Sequence, residues 1–157
     1  MHLEIRPIPG LWLAAASAPQ GDDASEVARP PVNVGANPRV LIVEDEGLVA
    51  LNMENALTEA GFRVVAVVDT EKDAIEAAQR LKPDVILMDI ALREGDGISA
   101  ATAILKTLPA RMIFVSGNSD SQTLAAAGEI ASCGFIRKPF ITERLAGLVR
   151  EAITPKN

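Results

Sequence analysis

Six residues stand just past short apolar runs, and their types suit one chemistry. Glu44, Asp45 and Glu46 follow the run VLIV at 40–43, Asp89 follows VILM at 85–88, Ser116 follows MIFV at 112–115, and Lys138 comes shortly after GFI at 134–136. Carboxylates gathered in one cleft repel one another, and a hard divalent cation with oxygen ligands relieves that repulsion. Mg²⁺ fits such a set better than Ca²⁺, because it keeps several waters and binds through one or two carboxylates plus substrate phosphate. A lysine and a hydroxyl beside them can hold the remaining oxygens of a phosphoryl group. The set suits phosphoryl transfer.

Gathering these residues requires strands that end together. From residue 39 onward, short β-branched runs alternate with longer amphipathic stretches, the pattern of βα units on a parallel sheet. Strands are predicted at 40–43, 64–68, 85–88, 112–115 and 134–136, and helices at 47–60, 70–81, 97–108, 119–131 and 141–153. Continuously apolar strands imply cover on both faces. Thr70 is placed to cap the second helix, with Asp73 an acidic residue in its first turn, and Lys82-Pro83 ends it. Repeats of this kind with right-handed crossovers give an α/β fold: a doubly wound five-stranded parallel sheet with helices on both faces. Ligands of such sheets sit beyond the carboxyl ends of the strands, where the six residues stand. Met53, Met88 and Met112 fall on apolar elements as core residues. The fourth helix is alanine-rich with Gly128 inside, which costs about 1 kcal/mol relative to alanine and predicts a movable element.

The composition agrees with one domain. The chain has 157 residues, 48% hydrophobic and 23% charged, and charges interrupt every apolar stretch. None approaches the roughly 18 apolar residues that would span a bilayer. A net charge of -6 and a pI near 4.8 argue against a nucleic-acid-binding surface. Cys133 is the single cysteine, which excludes an internal disulfide framework and a cysteine-rich metal site; it reads as a small buried residue before the fifth strand. Residues 1–38 hold six of the ten prolines and show no sustained apolar period, so a disordered proline-rich leader is expected there and the folded domain over 39–157. The segment 11–18 (LWLAAASA) is a weak match to an export signal, with Glu4 before it and Arg6 its one fixed positive charge. The expected location is the cytoplasm.

Five motifs carry a family resemblance: VLIVEDE at 40–46, VILMDIAL at 85–92, GDGI at 95–98, FVSG at 114–117 and GFIRKPF at 134–140. In that order, each near a strand end and separated by helix-length spacers, they make residues 39–153 resemble a response-regulator receiver domain of the stand-alone, chemotaxis type. The resemblance implies a flavodoxin-like fold and a two-component role. Asp89 would be the phosphoacceptor, its carboxylate taking a phosphoryl group from a phosphohistidine on a sensor histidine kinase or histidine phosphotransfer protein. Mg²⁺ would be held by Glu44, Asp45, Asp89 and the backbone carbonyl of Ala91, with Asp45 a direct ligand and Glu44 acting through a metal-bound water. Lys138 would pair with a phosphoryl oxygen and Ser116 would donate to the phosphoryl group. Lys138-Pro139 would be a cis peptide that turns the lysine inward.

The resemblance also makes Ser116 and Phe135 a switch pair, with output through the face formed by the fourth helix, fifth strand and fifth helix. Glu44 stands where many members of the family have aspartate, and Phe135 carries no hydroxyl, so a switch there would rest on packing. Gly117, Asn118, Ser119 and Asp120 make a small, polar loop before the fourth helix. Only 154–157 follow the fifth helix, so signalling is expected to pass through protein contacts with a downstream target, without nucleic acid or membrane. Pairing of two phosphorylated copies stays open. The chain would be no enzyme beyond assisting its own phosphorylation and dephosphorylation.

Other readings of the same residues are a receiver that docks without phosphorylation, a nucleotide- or flavin-binding module, and a metal-dependent phosphatase. The module lacks GxGxxG and GxxxxGK[ST], and EDEGLVAL would repel a phosphate without metal. The phosphatase lacks a second acid two residues after Asp89.

Overall fold

The computed structural model describes residues 37–117, 121–130 and 134–154. The leader expected over 1–38 lies outside them except for its last two residues, as do Cys133 and the loop residues Asn118, Ser119 and Asp120. The elements alternate: β1 (Arg39–Val43), α1 (Gly47–Glu59), β2 (Arg63–Val68), α2 (Glu71–Leu81), β3 (Val85–Asp89), α3 (Gly97–Leu105), β4 (Arg111–Ser116), α4 (Ser121–Ile130), β5 (Gly134–Arg137) and α5 (Thr142–Ile153). The strands form one parallel sheet in the order β2-β1-β3-β4-β5. The fold is the doubly wound α/β sandwich.

Alternation along each strand divides the core into two layers. Leu41, Val43, Ile86, Met88, Met112 and Phe114 face one side, where Ala74, Ala77 and Ala78 of α2, Ala100, Ala101 and Ile104 of α3, and Ala127 of α4 cover them. Val40, Ile42, Val85, Leu87, Ile113, Val115 and Ile136 face the other, under Met53 and Leu57 of α1 and Leu145 and Val149 of α5. Met53, Met88 and Met112 are all fully buried core residues.

Three local expectations need correction. The apolar run of β2 was read as covered on both faces, but β2 is an edge strand, half-buried along much of its length, with Val67 39% exposed. Composition cannot separate it from β1, β3 and β4, because edge position depends on strand order. Asp89 and Ser116 are the last residues of β3 and β4 rather than the residues after them. The third helix ends at Leu105, not 108: the N–H groups of Thr107 and Leu108 both donate to the Ile104 carbonyl, a tightened last turn ahead of Pro109. The second helix starts as expected, with Asp73 N–H donating to Thr70 Oγ1 at 3.0 Å, and it stops at Lys82, whose φ is 48°.

The β3–α3 connection folds back under Asp89, and a glycine makes that approach feasible. A Cβ built on Gly97 would lie 2.1 Å from the Asp89 carbonyl oxygen and 2.7 Å from Ile90 Cα, while Gly97 N–H donates to the Ile90 carbonyl at 2.9 Å. Gly95, at φ 95°, lies against the stem of Glu71, whose carboxylate accepts from Asp96 N–H at 2.9 Å. Gly128 in α4 differs, since a Cβ there would meet nothing within 4 Å. Chemical denaturation should therefore separate the two glycines. Gly97→Ala is expected to cost roughly 3 kcal/mol through overpacking against backbone. Gly128→Ala is expected to gain up to about 1 kcal/mol from helix propensity.

Candidate phosphoryl-transfer site

The strand order reverses between β1 and β3, so α1 and α3 leave on opposite faces and a crevice opens at the carboxyl edge of those two strands. Glu44 and Asp45 enter it from the end of β1, and Asp89 from the end of β3. Carboxylate oxygens of these residues lie within 4.8 Å of one another. Glu44 N–H donates to the Val68 carbonyl at 2.9 Å, which holds the start of the β1–α1 turn against the end of β2.

Lys138 arrives from the far side. Ser116 pairs in register with Arg137, and Lys138 N–H donates to the Ser116 carbonyl at 2.9 Å, so the lysine leaves β5 level with the end of β4. The Lys138-Pro139 peptide is cis, as expected. Its Nζ stands 2.8 Å from Glu44 Oε2, 3.2 Å from Glu46 Oε1 and 3.2 Å from Asp89 Oδ2. The other oxygen of Asp89 accepts from Ala91 N–H at 3.1 Å. Asp89 and Glu44 are buried, and the Lys138 side chain is 17% exposed.

These contacts set the electrostatics. Burial pushes the Glu44 carboxyl up to about 7, and the hydrogen bond and charge of Asp89 add to that, against the opposing pull of Lys138. For Lys138, burial disfavours the ammonium, but its bond to Glu44 and the charges of Asp89 and Glu44 outweigh it and raise the group above the ordinary lysine range. Lys138 remains a cation throughout the physiological range.

The donor set suits a hard cation. It consists of carboxylate oxygens alone, with Glu44 Oε2 buried and 2.8 Å from the Lys138 ammonium. Three carboxylates that each offer an oxygen within 4.8 Å of the others are the ligand type a hard cation prefers.

The structure thus brings together Glu44, Asp45, Asp89 and Lys138, with Ala91 holding Asp89 through its N–H and Ser116 fully buried at the adjoining strand end. Phe135 is half-buried in β5, opposite Phe114, and packs in the apolar layer shared with α2, α3 and α4. Two contributions escaped the sequence reading. Glu46, noted there only as a third acid, is the exposed partner of Lys138. Arg93 binds Asp45: its backbone N–H donates to Oδ2 at 2.6 Å, and Nη2 donates to the Asp45 carbonyl at 2.8 Å. A basic residue four positions after Asp89, on a loop facing acids, was the available signal.

The response regulator receiver domain profile matches residues 40–150. The chain is 33% identical over 108 residues to the chemotaxis protein CheY of Thermotoga maritima, covering 68% of this chain and 90% of that protein. It is 29% identical over 116 residues to the transcriptional regulatory protein PdtaR of Mycobacterium tuberculosis, covering 74% of this chain but 57% of that longer protein. Among solved structures, the signal receiver domain of a modulated diguanylate cyclase from Desulfovibrio desulfuricans G20 is similar at a TM-score of 0.70 and 31% identity, over 74% of this chain and 94% of that one. The chain belongs to the response-regulator receiver family of two-component signalling, whose general function is to accept a phosphoryl group and whose acidic pocket generally binds Mg²⁺. Among the described residues, no helix is long and apolar enough to cross a membrane.

The raised Glu44 group has a measurable consequence for the metal-free protein. Because its folded value of about 7 lies above the ordinary glutamate value of 4.5, folding favours the protonated form. The associated stability is fully present below pH 4.5 and is lost as pH rises through about 7. With chelator present, wild type should lose stability relative to Glu44→Gln between about pH 5 and pH 8, by on the order of 2 kcal/mol. Urea titrations at each pH would check this, and parallel curves for the two proteins would refute the assignment.

Proposed function

We propose that this chain accepts a phosphoryl group on Asp89 from the phosphohistidine of a sensor histidine kinase or histidine phosphotransfer protein, in a Mg²⁺-dependent reaction. One observation carries the reading. Asp89 is buried at a strand end with one oxygen tied to Ala91 N–H and the other 3.2 Å from the Lys138 ammonium, beside Glu44 and Asp45. An Asp89 oxygen attacks phosphorus, the P–N bond to imidazole breaks, and the imidazole recovers its lone pair as leaving group. Glu44, Asp45 and Asp89, with the carbonyl of Ala91, would hold Mg²⁺, which supplies positive charge against the phosphoryl oxygens. Lys138 supplies a second, fixed positive charge that grows in value as charge spreads over those oxygens.

Ser116, at the end of β4, would donate to the phosphoryl group, and Phe135 on β5 is the side chain whose packing would respond. Output would pass through the face of α4, β5 and α5 to a downstream protein. The packing supports this: α4 contributes Ala127 as its buried residue and carries the exposed Gly128. A leader over 1–38 that precedes a receiver over 39–157 is part of the same proposal, as is a non-enzymatic role in the cytoplasm.

Incubation with Mg²⁺ and a small acyl-phosphate donor, followed by intact mass, tests the reading. A base-labile gain of one phosphoryl group is expected, lost in Asp89→Asn and in chelator. No gain, with a cognate kinase also tried, would favour a receiver that docks without phosphorylation.

A further inference from the structure

Lys138 answers Glu44, Glu46 and Asp89, whereas Asp45 is met by a cation from another loop. Besides the two hydrogen bonds to Asp45 at 2.6 Å and 2.8 Å, Arg93 Nε stands 3.7 Å from Asp45 Oδ2. The Arg93 side chain is 71% exposed and that of Asp45 is 11% exposed, so a solvated guanidinium lies beside a carboxylate that contributes an oxygen to the acidic cluster. We infer that Arg93 is a built-in counter-cation that competes with the divalent cation for Asp45 and so lowers the affinity of the site. This rests on the metal reading proposed above.

Two effects oppose each other when the Arg93 side chain is removed. The tie from Nη2 to the Asp45 carbonyl disappears, which loosens the β1–α1 turn and weakens cation binding. A positive charge beside a ligand oxygen also disappears, which strengthens it. The tie is between exposed groups and is worth little, and the main-chain bond from Arg93 N–H to Oδ2 survives truncation and keeps the carboxylate oriented. The repulsion is doubled, because Coulomb energy scales with the product of the charges and the competitor is divalent. The charge effect wins.

Calorimetric titration of Mg²⁺ at low ionic strength, on wild type, Arg93→Met, Arg93→Gln and Arg93→Lys, tests this, with thermal melts as the folding control. Both neutral variants should bind Mg²⁺ about five- to tenfold more tightly. The difference should shrink at about 0.5 M KCl, where exposed charges are screened. Arg93→Lys keeps the charge and should stay close to wild type. An unchanged or weaker affinity in the neutral variants overturns the inference. If Asp89 phosphorylation requires Mg²⁺ but its half-saturating concentration is the same in all four proteins, the inference fails alone and the proposed function stands. If no protein binds Mg²⁺, the inference falls together with the metal reading.

Discussion

The carboxyl edge of the sheet is organised around one ammonium group. Glu44 and Asp89 are buried carboxylates in the same cluster, an arrangement that is strongly unfavourable without a cation. Lys138 supplies it, and it does so from the opposite side of the crevice. The lysine reaches both acids because β5 pairs with β4 in a register that sets Arg137 beside Ser116. A slip of one residue in that pairing would exchange the two faces of β5 and turn its side chains the wrong way. The edge strand is short, from Gly134 to Arg137, so its register depends on few bonds, and Ile136 in the α1–α5 layer is the anchor that fixes it.

The opposite wall is set by close approach rather than charge. The backbone bends away from β3 after Asp89, and the chain returns at Gly97, whose N–H donates to the Ile90 carbonyl while its Cα lies against the Asp89 carbonyl oxygen. The contact is so tight that no side chain fits. The same turn carries Arg93 to Asp45 and Glu94 to the start of α2, where Glu71 N–H donates to the Glu94 carbonyl at 3.1 Å. The β3–α3 connection therefore joins three strand ends, and the GDGI motif is legible as a packing requirement as much as a family mark.

Most of the fold was legible in the sequence because its signals are local. Apolar runs marked the strands, Thr70 and Lys82-Pro83 marked the ends of α2, and the acidic and basic residues past the runs marked the crevice. What was not legible depends on neighbours distant in sequence. β2 reads like a central strand and is an edge, because strand order is set by the crossovers and not by composition. Arg93 drew no notice in the sequence, because its role follows from a partner 48 residues away. The Lys138 contacts with Glu44 and Asp89 could be foreseen as a gathering of residue types, but the sharing of one ammonium among three acids is a matter of distances.

The two layers of the core differ in how firmly they hold their helices. Facing α1 and α5 the buried side chains are large: Met53, Leu57, Leu145, Val149 and Ile153. In the other layer the buried helix residues are alanines on α2, α3 and α4 apart from Ile104 of α3, and alanines bury less apolar area each and so contribute less stabilisation. Within it, α4 has Ala127 as its buried residue and Ile130 partly buried against the same cluster. A redistribution of charge at Asp89 and Lys138 acts on the ends of β3, β4 and β5, and α4 lies in the connection between the last two. β3 and β4 are the firmest of these, with Met88, Ile113, Phe114 and Val115 fully buried, whereas Phe135 of β5 is half-buried. Among the described residues, α4 is therefore the helix of that layer held by the least buried apolar surface, while large side chains hold the α1–α5 layer.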